Sequence, residues 1–192
     1  IGYYYADQEV YRQIARETGT EGVRHPLTFI LEAADDIAYK TADIEDAYVK
    51  GYISYHQLKE ELKRLQEKEL ENPFKPLERL EQKYQSALRK NAQNPEEYAV
   101  KNWIVQVQAF LIQCATFGFT SNYDAIMEGT YGKDIFSGTY AEGLMELLGD
   151  LAYRKVFTTP DIYKMEVGES VILNFLMDQF IHAVLYYDTD VK

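Results

Sequence analysis

Cysteine, histidine and tryptophan are scarce in this sequence. Its 192 residues include one cysteine, one tryptophan and three histidines. The single cysteine, Cys114, excludes a disulfide within the chain, and its apolar surroundings indicate a buried thiol. No two histidines stand four residues apart and no His-Asp dipeptide occurs. We therefore expect His25 to be structural, His56 to be exposed and His182 to be a core residue, with none of them binding metal.

Basic charge and long apolar runs are also in short supply. Twenty Lys and Arg face 31 Asp and Glu, a net charge of −11. That balance disfavours a general electrostatic grip on nucleic acid or on anionic lipid, although a local basic pocket for a small phosphate ligand stays open. No apolar run approaches the ~20 residues that span a bilayer, and no charged-then-apolar leader opens the chain. We expect a soluble cytoplasmic protein without a membrane partner.

The common signatures of nucleotide-binding and catalytic proteins are missing. There is no glycine-rich loop ending in Gly-Lys-Ser/Thr, no dinucleotide fingerprint, and no assignable Ser/His/Asp or Cys/His set. What is present is a composition 46% hydrophobic with 17 tyrosines and nine phenylalanines. This composition is typical of one globular domain, or part of a larger one, in which tyrosine supplies much of the packing.

Apolar residues recur at helical spacing along most of the chain, which predicts an all-α fold. Ser54 is a predicted N-cap, and Asn94-Pro95-Glu96-Glu97 combines a cap, a first-turn proline and first-turn acids. One segment alternates between apolar and polar residues, so at most one short strand pair is expected. The predicted helices cover 5–17, 26–50, 55–70, 77–92, 98–117, 139–153 and 169–187, with 162–167 extended.

The second predicted helix carries a stripe of acidic residues. At about 100° per residue, Asp35, Tyr39, Asp43 and Asp46 fall within one arc of roughly 80°, and Glu32 lies inside it. A rise of about 1.5 Å per residue separates Asp35 from Asp43 by about 12 Å, too far for one ion to bridge. At most one carboxylate can bind a given metal, and the others would face a ligand extending from it, such as a nucleotide. The apolar residues are expected on the opposite, buried side: Leu27, Ile30, Leu31, Ala34, Ile37, Ala38, Ala42, Ile44, Tyr48 and Val49.

Two other interpretations of the stripe are available. It could be the solvated acidic face of a surface helix, although Tyr39 and the small alanines fit a fully wet face poorly. It could also be the aspartate-rich motif of terpenoid synthases. That motif needs a third acid four residues after the first, where Tyr39 stands, so we discount it.

The block Pro26-Leu27-Thr28-Phe29-Ile30-Leu31-Glu32-Ala33-Ala34-Asp35-Asp36-Ile37-Ala38-Tyr39 resembles a segment of the deoxyguanosine triphosphate triphosphohydrolases. These belong to the HD-domain superfamily of metal-dependent phosphohydrolases. Ala42-Asp43-Ile44-Glu45-Asp46-Ala47 continues the match, and Gly2-Tyr3-Tyr4 with Glu9-Val10-Tyr11 looks like its lead-in. A later family element resembles Lys155-Val156-Phe157-Thr158-Thr159-Pro160-Asp161 followed by Met165-Glu166-Val167-Gly168.

The resemblance implies an HD-type helical bundle and a role for each stripe residue. In this family a histidine, a His-Asp pair and a final aspartate hold the metal, and the final aspartate maps to Asp35. The implied ion is Mg²⁺ or Mn²⁺. Tyr39 would pack on the deoxyribose, and Asp43 would accept a hydrogen bond from the 3′-hydroxyl. A family arginine of the core helix is replaced here by Trp103-Ile104-Val105, so no phosphate-binding cation is assigned.

The histidine and the His-Asp pair precede this segment in family members. Residues 1–192 are therefore expected to be the C-terminal portion of such an enzyme, with the catalytic acid and base in an N-terminal half that is absent here. The resemblance implies hydrolysis of a dNTP, dGTP above all, to deoxynucleoside and triphosphate by a homo-oligomer. This chain alone is expected to be inactive. A non-catalytic helical interaction or oligomerisation module, and an HD phosphohydrolase of another nucleotide, stay open as alternatives.

Overall fold

The computed structural model describes residues 3–188, which confirm the all-α prediction. Within them the chain forms α-helices joined by turns and loops, and no strand occurs. Gly2, part of the predicted lead-in, lies outside the described residues. The helices are α1 (Gln8–Glu17), α2 (Pro26–Val49), α3 (Tyr55–Lys68), α4 (Pro76–Arg89), α5 (Pro95–Ser121), α6 (Tyr123–Met127), α7 (Glu142–Ala152) and α8 (Pro160–Leu185), with a 3₁₀ turn at Tyr5–Asp7 and a π-helical turn at Tyr153–Phe157.

Side chains and prolines fix where several helices begin. His25 accepts a hydrogen bond from the Leu27 amide at Nδ1, ahead of the proline that opens α2, which confirms its structural role. Ser54 and Gln57 form a reciprocal capping box at the start of α3. Asn94 accepts from the Glu97 amide at 3.2 Å at the start of α5. Each cap satisfies amides that have no partner within their helix.

Helix α5 is the centre of the bundle. It packs against α4 on one side and α2 on another, and α7 packs against α2. Trp103 is fully buried on α5 and donates its indole N–H to the Pro76 carbonyl of α4 at 2.9 Å. The predicted burial of Cys114 is confirmed. This bundle determines which faces of α2 are covered and which stay open.

One helix, α5, is long and apolar enough to cross a membrane by length and composition, contrary to the expectation that none would be. Its buried residues include Val100, Trp103 and Val107, which lie in the same core as residues of α2, α4 and α7. The central helix of a bundle meets the same criteria as a membrane span, so α5 is weak support for a membrane location.

Two predictions about the end of the chain are wrong. The segment predicted as extended, 162–167, lies inside α8, which Pro160 opens as the first helical residue. Ile162 and Met165 are also three residues apart, so the same pattern fits a helix. His182 is exposed rather than part of the core, because the whole of α8 from residue 163 onward is exposed.

Candidate nucleotide-binding face of helix α2

A row of buried side chains fixes the rotation of α2 about its axis. Thr41 is the polar member of this row and is fully buried. Its hydroxyl donates to the Ile37 carbonyl at 2.7 Å and accepts from Gln108 of α5 at 2.9 Å, so each polar atom there has a partner. This contact holds one face of α2 against α5 and turns the opposite face outward. The buried row is Phe29, Ala33, Ile37, Thr41, Ile44 and Ala47.

The three predicted site residues lie along the outward side of α2. Asp35 is exposed, Tyr39 exposes 65% of its surface, and Asp43 is half-buried. At about 1.5 Å per residue, Tyr39 stands roughly 6 Å and Asp43 roughly 12 Å along the helix from Asp35. The structure therefore puts them in the predicted order on an accessible surface.

The acidic residues of α2 differ in whether they form an ion pair with a basic side chain. Glu32 pairs with Arg24, whose guanidinium also lies over the Phe29 ring at 4.1 Å from its centroid. Asp36 pairs with Lys40 at 3.4 Å, and Asp46 with Lys50 at 2.9 Å. Among the described residues, Asp35 and Asp43 make no ion pair. The two carboxylates that were assigned to metal and sugar are thus without a basic partner, as is Glu45 of the same helix.

Burial shifts the proton equilibrium of Asp43. Desolvation raises the pKa of its carboxyl above the ordinary 3.8, the neighbouring Asp46 charge raises it further, and Lys50 opposes both. Burial leaves the ionised form of this carboxyl poorly solvated. A ligand that donates a hydrogen bond to the carboxylate therefore stabilises it. A sugar hydroxyl is such a donor.

A complete metal centre is not formed by the described residues alone. No group of three or more His, Cys, Asp or Glu among residues 3–188 could hold an ion. Asp35 fits the role of a single oxygen ligand, since its carboxylate is accessible and unpaired. The donor set for Mg²⁺ or Mn²⁺, which take about six oxygen ligands, does not exist within this part of the chain.

The expectation that the apolar residues of α2 fill its buried side is partly wrong. Ile37 and Ile44 are buried and Tyr48 is half-buried, but seven others of that set are exposed. The physical reason is that the neighbours of α2, chiefly α5 and α7, cover only the side of the helix that carries its buried row. The outward acidic face is consequently bordered by an open apolar flank. The exposed residues are Leu27, Ile30, Leu31, Ala34, Ala38, Ala42 and Val49.

An apolar groove between α2 and α5 was missed by sequence reasoning. Its cavity of about 240 Å³ is lined by residues that include Ile30 and Ala34 of α2, and Ile112 and Phe119 of α5. Thr116 also lines it, but its hydroxyl bonds to the Ile112 carbonyl of its own helix and leaves the groove apolar. The signal in the sequence is the row of apolar residues on α5 at spacings of three and four, a pattern that fits a groove lining as well as a core.

Comparison of the sequence with known proteins finds named relatives of the chain. No protein-family model matches the chain. It is 33% identical over 196 aligned residues to a deoxyguanosinetriphosphate triphosphohydrolase-like protein of Listeria monocytogenes, covering 99% of this chain and 40% of that protein. A probable deoxyguanosinetriphosphate triphosphohydrolase of Pseudomonas aeruginosa is 26% identical, over 92% of this chain and 38% of its own length.

A third relative, the deoxyguanosinetriphosphate triphosphohydrolase of Serratia proteamaculans, is 29% identical over 92% of this chain and 35% of its own length. The predicted resemblance to such proteins is therefore confirmed along nearly the whole chain. The chain spans two fifths or less of the length of these relatives, in agreement with the prediction that it corresponds to a portion of such a protein.

Proposed function

Since the chain is related along nearly its whole length to deoxyguanosinetriphosphate triphosphohydrolases, we propose that it supplies the sugar-binding face and one metal ligand of a dNTP triphosphohydrolase. The substrate would be a deoxynucleoside triphosphate, dGTP above all, and the products the deoxynucleoside and inorganic triphosphate. The observation that carries the proposal is the pair of unpaired carboxylates, Asp35 and Asp43, on either side of exposed Tyr39 on one helix face.

Each residue of this face has a chemical task in the proposal. Asp35 would supply one oxygen to a divalent ion, which as a Lewis acid would polarise the phosphate that is attacked. Tyr39 would lay its ring against the deoxyribose, where a 2′-hydroxyl would lose its hydration without gaining a partner. Asp43 would accept the hydrogen bond of the 3′-hydroxyl. The catalytic acid, the base and the phosphate-binding cations are not assigned to residues of this chain.

The open apolar flank of α2 supports a site completed by further polypeptide. Leu27, Leu31 and Ile30 expose 63%, 57% and 48% of their surfaces beside the acidic stripe. Apolar surface of this kind marks a binding or docking region when it is contiguous and bordered by polar residues. We propose that the remaining metal ligands lie on a segment that covers this flank, in a cytoplasmic, self-associating enzyme.

A second candidate function is a non-catalytic helical module that acts through assembly. The observation that favours it is α8, a long apolar helix exposed along its length. In that case the acidic stripe would be only a solvated surface. A third possibility is an HD phosphohydrolase that acts on another nucleotide. An experiment in which dGTP and GTP compete for the complete gene product would distinguish it from the main proposal.

The test uses two proteins, the 192-residue chain and the complete product of its gene. With Mg²⁺ or Mn²⁺ and dGTP, we expect triphosphate release from the complete product and none from the 192-residue chain. Asp35→Asn in the complete product should lower the rate at least about 100-fold, because a metal ligand is lost. The matched control is Asp36→Asn, which removes the adjacent acid that Lys40 already neutralises.

Triphosphate release by the 192-residue chain alone would contradict the assignment of the remaining ligands to other polypeptide. Equal activity of the Asp35→Asn variant and the wild type would contradict the role of Asp35. A complete product with no triphosphohydrolase activity on any dNTP would favour the non-catalytic module.

A further inference from the structure

A second cavity lies between α4 and α5. Its lining comes from α5, from α4 and from the loop that precedes α4, and its volume is about 400 Å³. It combines one cation and two amides with apolar side chains, the mixture by which a pocket orients a small polar ligand. The lining includes Phe74, Arg79, Gln106, Ala109, Phe110 and Gln113.

The loop before α4 holds the Phe74 ring in place. Asn72 is buried, and its side-chain amide donates to the Tyr140 carbonyl at 2.7 Å while its Oδ1 accepts from the Phe74 amide at 3.0 Å. Lys75 has a φ of 49°, a left-handed conformation that is unfavourable for a residue with a Cβ. The Phe74 ring is buried and stacks on Phe110, with the two centroids 4.1 Å apart. The fold thus accepts local strain where it fixes this ring and its carbonyl.

The same loop fixes the guanidinium of Arg79. Its Nε donates to the Phe74 carbonyl at 2.7 Å, and its Cζ lies 4.7 Å from the centroid of the Phe74 ring. No acid among residues 3–188 forms an ion pair with Arg79, and Glu81 of the same helix pairs with Lys59 instead. Because Nε is engaged, the two terminal nitrogens remain for a ligand, side by side as a carboxylate requires.

Gln106 supplies a second polar group to the cavity. It is half-buried on α5, and its Oε1 is enclosed and accepts no hydrogen bond within the described part of the chain. A buried oxygen without a donor is uncommon, and a ligand N–H can satisfy it without breaking an existing bond. Gln113 lies two turns further along the same side of α5, and Ala109 and Phe110 add apolar surface between the two amides.

We propose that this cavity binds a carboxylate that stands next to an N–H group and an apolar side chain. The terminal nitrogens of Arg79 donate to the carboxylate, Gln106 accepts from the N–H, and Ala109 and Phe110 contact the apolar side chain. A single cation favours a singly charged carboxylate over a phosphate group, which carries about two charges. An N-acylated amino acid has this chemistry, and so does the C-terminal residue of a polypeptide. The proposal does not depend on the hydrolase assignment.

N-acetyl-L-leucine is the probe, added to the 192-residue chain. A ligand with about a dozen heavy atoms is expected to bind at about millimolar concentration, which two-dimensional NMR spectroscopy detects. The side-chain N–H signals of Arg79 and Gln106 should shift. The side-chain signal of Gln108, which donates to Thr41 of α2, should not. N-acetyl-L-leucine amide, which lacks the carboxylate, should bind at least about tenfold more weakly.

Two substitutions separate the two polar contacts. Arg79→Gln should weaken binding of the probe at least about tenfold. The matched control is Arg89→Gln, at the exposed end of the same helix, and it should leave binding unchanged. Gln106→Leu should weaken binding of N-acetyl-L-leucine but not of 4-methylpentanoate, which is the same acid without the N–H group. This comparison within one variant tests the site independently of any change that Arg79→Gln makes in the packing of Phe74, and circular dichroism checks that each variant is folded.

The complete gene product distinguishes the two sources of the carboxylate. Binding of the probe by the complete product assigns the cavity to a free acid. If the cavity holds a carboxylate of the same polypeptide, the complete product should not bind the probe, and Arg79→Gln should lower its melting temperature more than Arg89→Gln does. A complete product that shows neither result would overturn the proposal. So would a 192-residue chain that does not bind the probe, equal binding of the acid and its amide, or equal effects of the two arginine variants on binding.

Discussion

Two carboxylates of the acidic stripe on α2 form no ion pair among the described residues, although neighbouring acids on the same side of the helix do. Glu32, Asp36 and Asp46 each have a basic partner, whereas Asp35 and Asp43 have none among the described residues. An unpaired carboxylate beside another acid stabilises no fold by itself. Residues that serve function often lower the stability of the fold. The destabilisation caused by Asp43 can be measured by replacing it.

The first prediction concerns Asp43 and pH. Its folded pKa lies above the unfolded value near 3.8, so the folded state disfavours the charge. The group's contribution to stability is then most favourable below the unfolded pKa and is lost as pH rises through the folded pKa. Asp43→Asn should therefore raise the melting temperature at pH 7 by a small amount, about 1 °C, with no gain at pH 3.

Differential scanning calorimetry at the two pH values measures this difference. Asp46→Asn is the matched control, because Asp46 accepts a hydrogen bond from Lys50 at 2.9 Å and its removal should bring no gain. A gain from Asp43→Asn that is equally large at pH 3 would mean that its cause is not the carboxylate charge.

The second prediction concerns Tyr39 as the discriminator of sugars. In the complete gene product, Tyr39→Ala should lower the ratio of kcat/KM for dGTP over GTP by about tenfold, since about 1.4 kcal/mol of discrimination would be removed. Competition between the two nucleotides measures the ratio. Tyr140→Ala, at a tyrosine exposed to a similar degree (59%), should leave it unchanged. An unaltered ratio in Tyr39→Ala would remove Tyr39 from the sugar site.

At the scale of single helices, the capping box of α3 yields the third prediction. Ser54 accepts from the Gln57 amide, and the Gln57 side chain accepts from the Ser54 amide. Ser54→Ala should lower the free energy of unfolding by about 1 kcal/mol, equivalent to a fall of about 2–4 °C in melting temperature. His56→Ala, an exposed substitution on the same helix, should change the melting temperature by less than about 1 °C. Equal effects of the two would show that the cap contributes nothing.

The fourth prediction compares two glycines within helices. An added Cβ on Gly118 of α5 would lie 2.0 Å from the backbone oxygen of Ile135, whereas one on Gly168 of α8 would meet nothing within 4 Å. Gly118→Ala should therefore destabilise the bundle by about 3 kcal/mol, because backbone must shift. Gly168→Ala should raise the helicity of α8 by circular dichroism, as alanine is favoured over glycine by about 1 kcal/mol. Equal stability of both variants would contradict the close packing at Gly118.

Helix starts could be predicted from the sequence because their causes are local. Ser54 and Asn94 make their capping contacts within three residues, so the capping residue and its partner stand together in the sequence. The interior of α8 was harder to predict, since 162–167 alternates in a way that fits a strand and a helix equally. The neighbours that would decide between the two do not exist in the described bundle, so the pattern alone was insufficient.

At the scale of the whole molecule, the site could be predicted only in part. Helical spacing puts Asp35, Tyr39 and Asp43 on one face, and the structure confirms that they share it. How far that face is covered depends on which neighbours α2 has, and spacing carries no information on that. This is why the prediction that Ala34, Ala38 and Ala42 are buried is wrong: all three are exposed. Residues of α2, α3, α4, α6 and α7 share one core with α5, while α8 and the outward face of α2 lie outside it.

The last prediction follows from this division between a packed bundle and an unpacked helix. Amides of α5 are held by the common core, so their hydrogen exchange should require global unfolding and be independent of protein concentration. Amides of α8 are held by their own helix, which is marginal in water, and by few contacts with the described bundle. Hydrogen-exchange mass spectrometry of the 192-residue chain should therefore show fast exchange along α8 and slow exchange in α5. Protection of α8 equal to that of α5 would mean that the separation into a packed bundle and an unpacked helix is wrong.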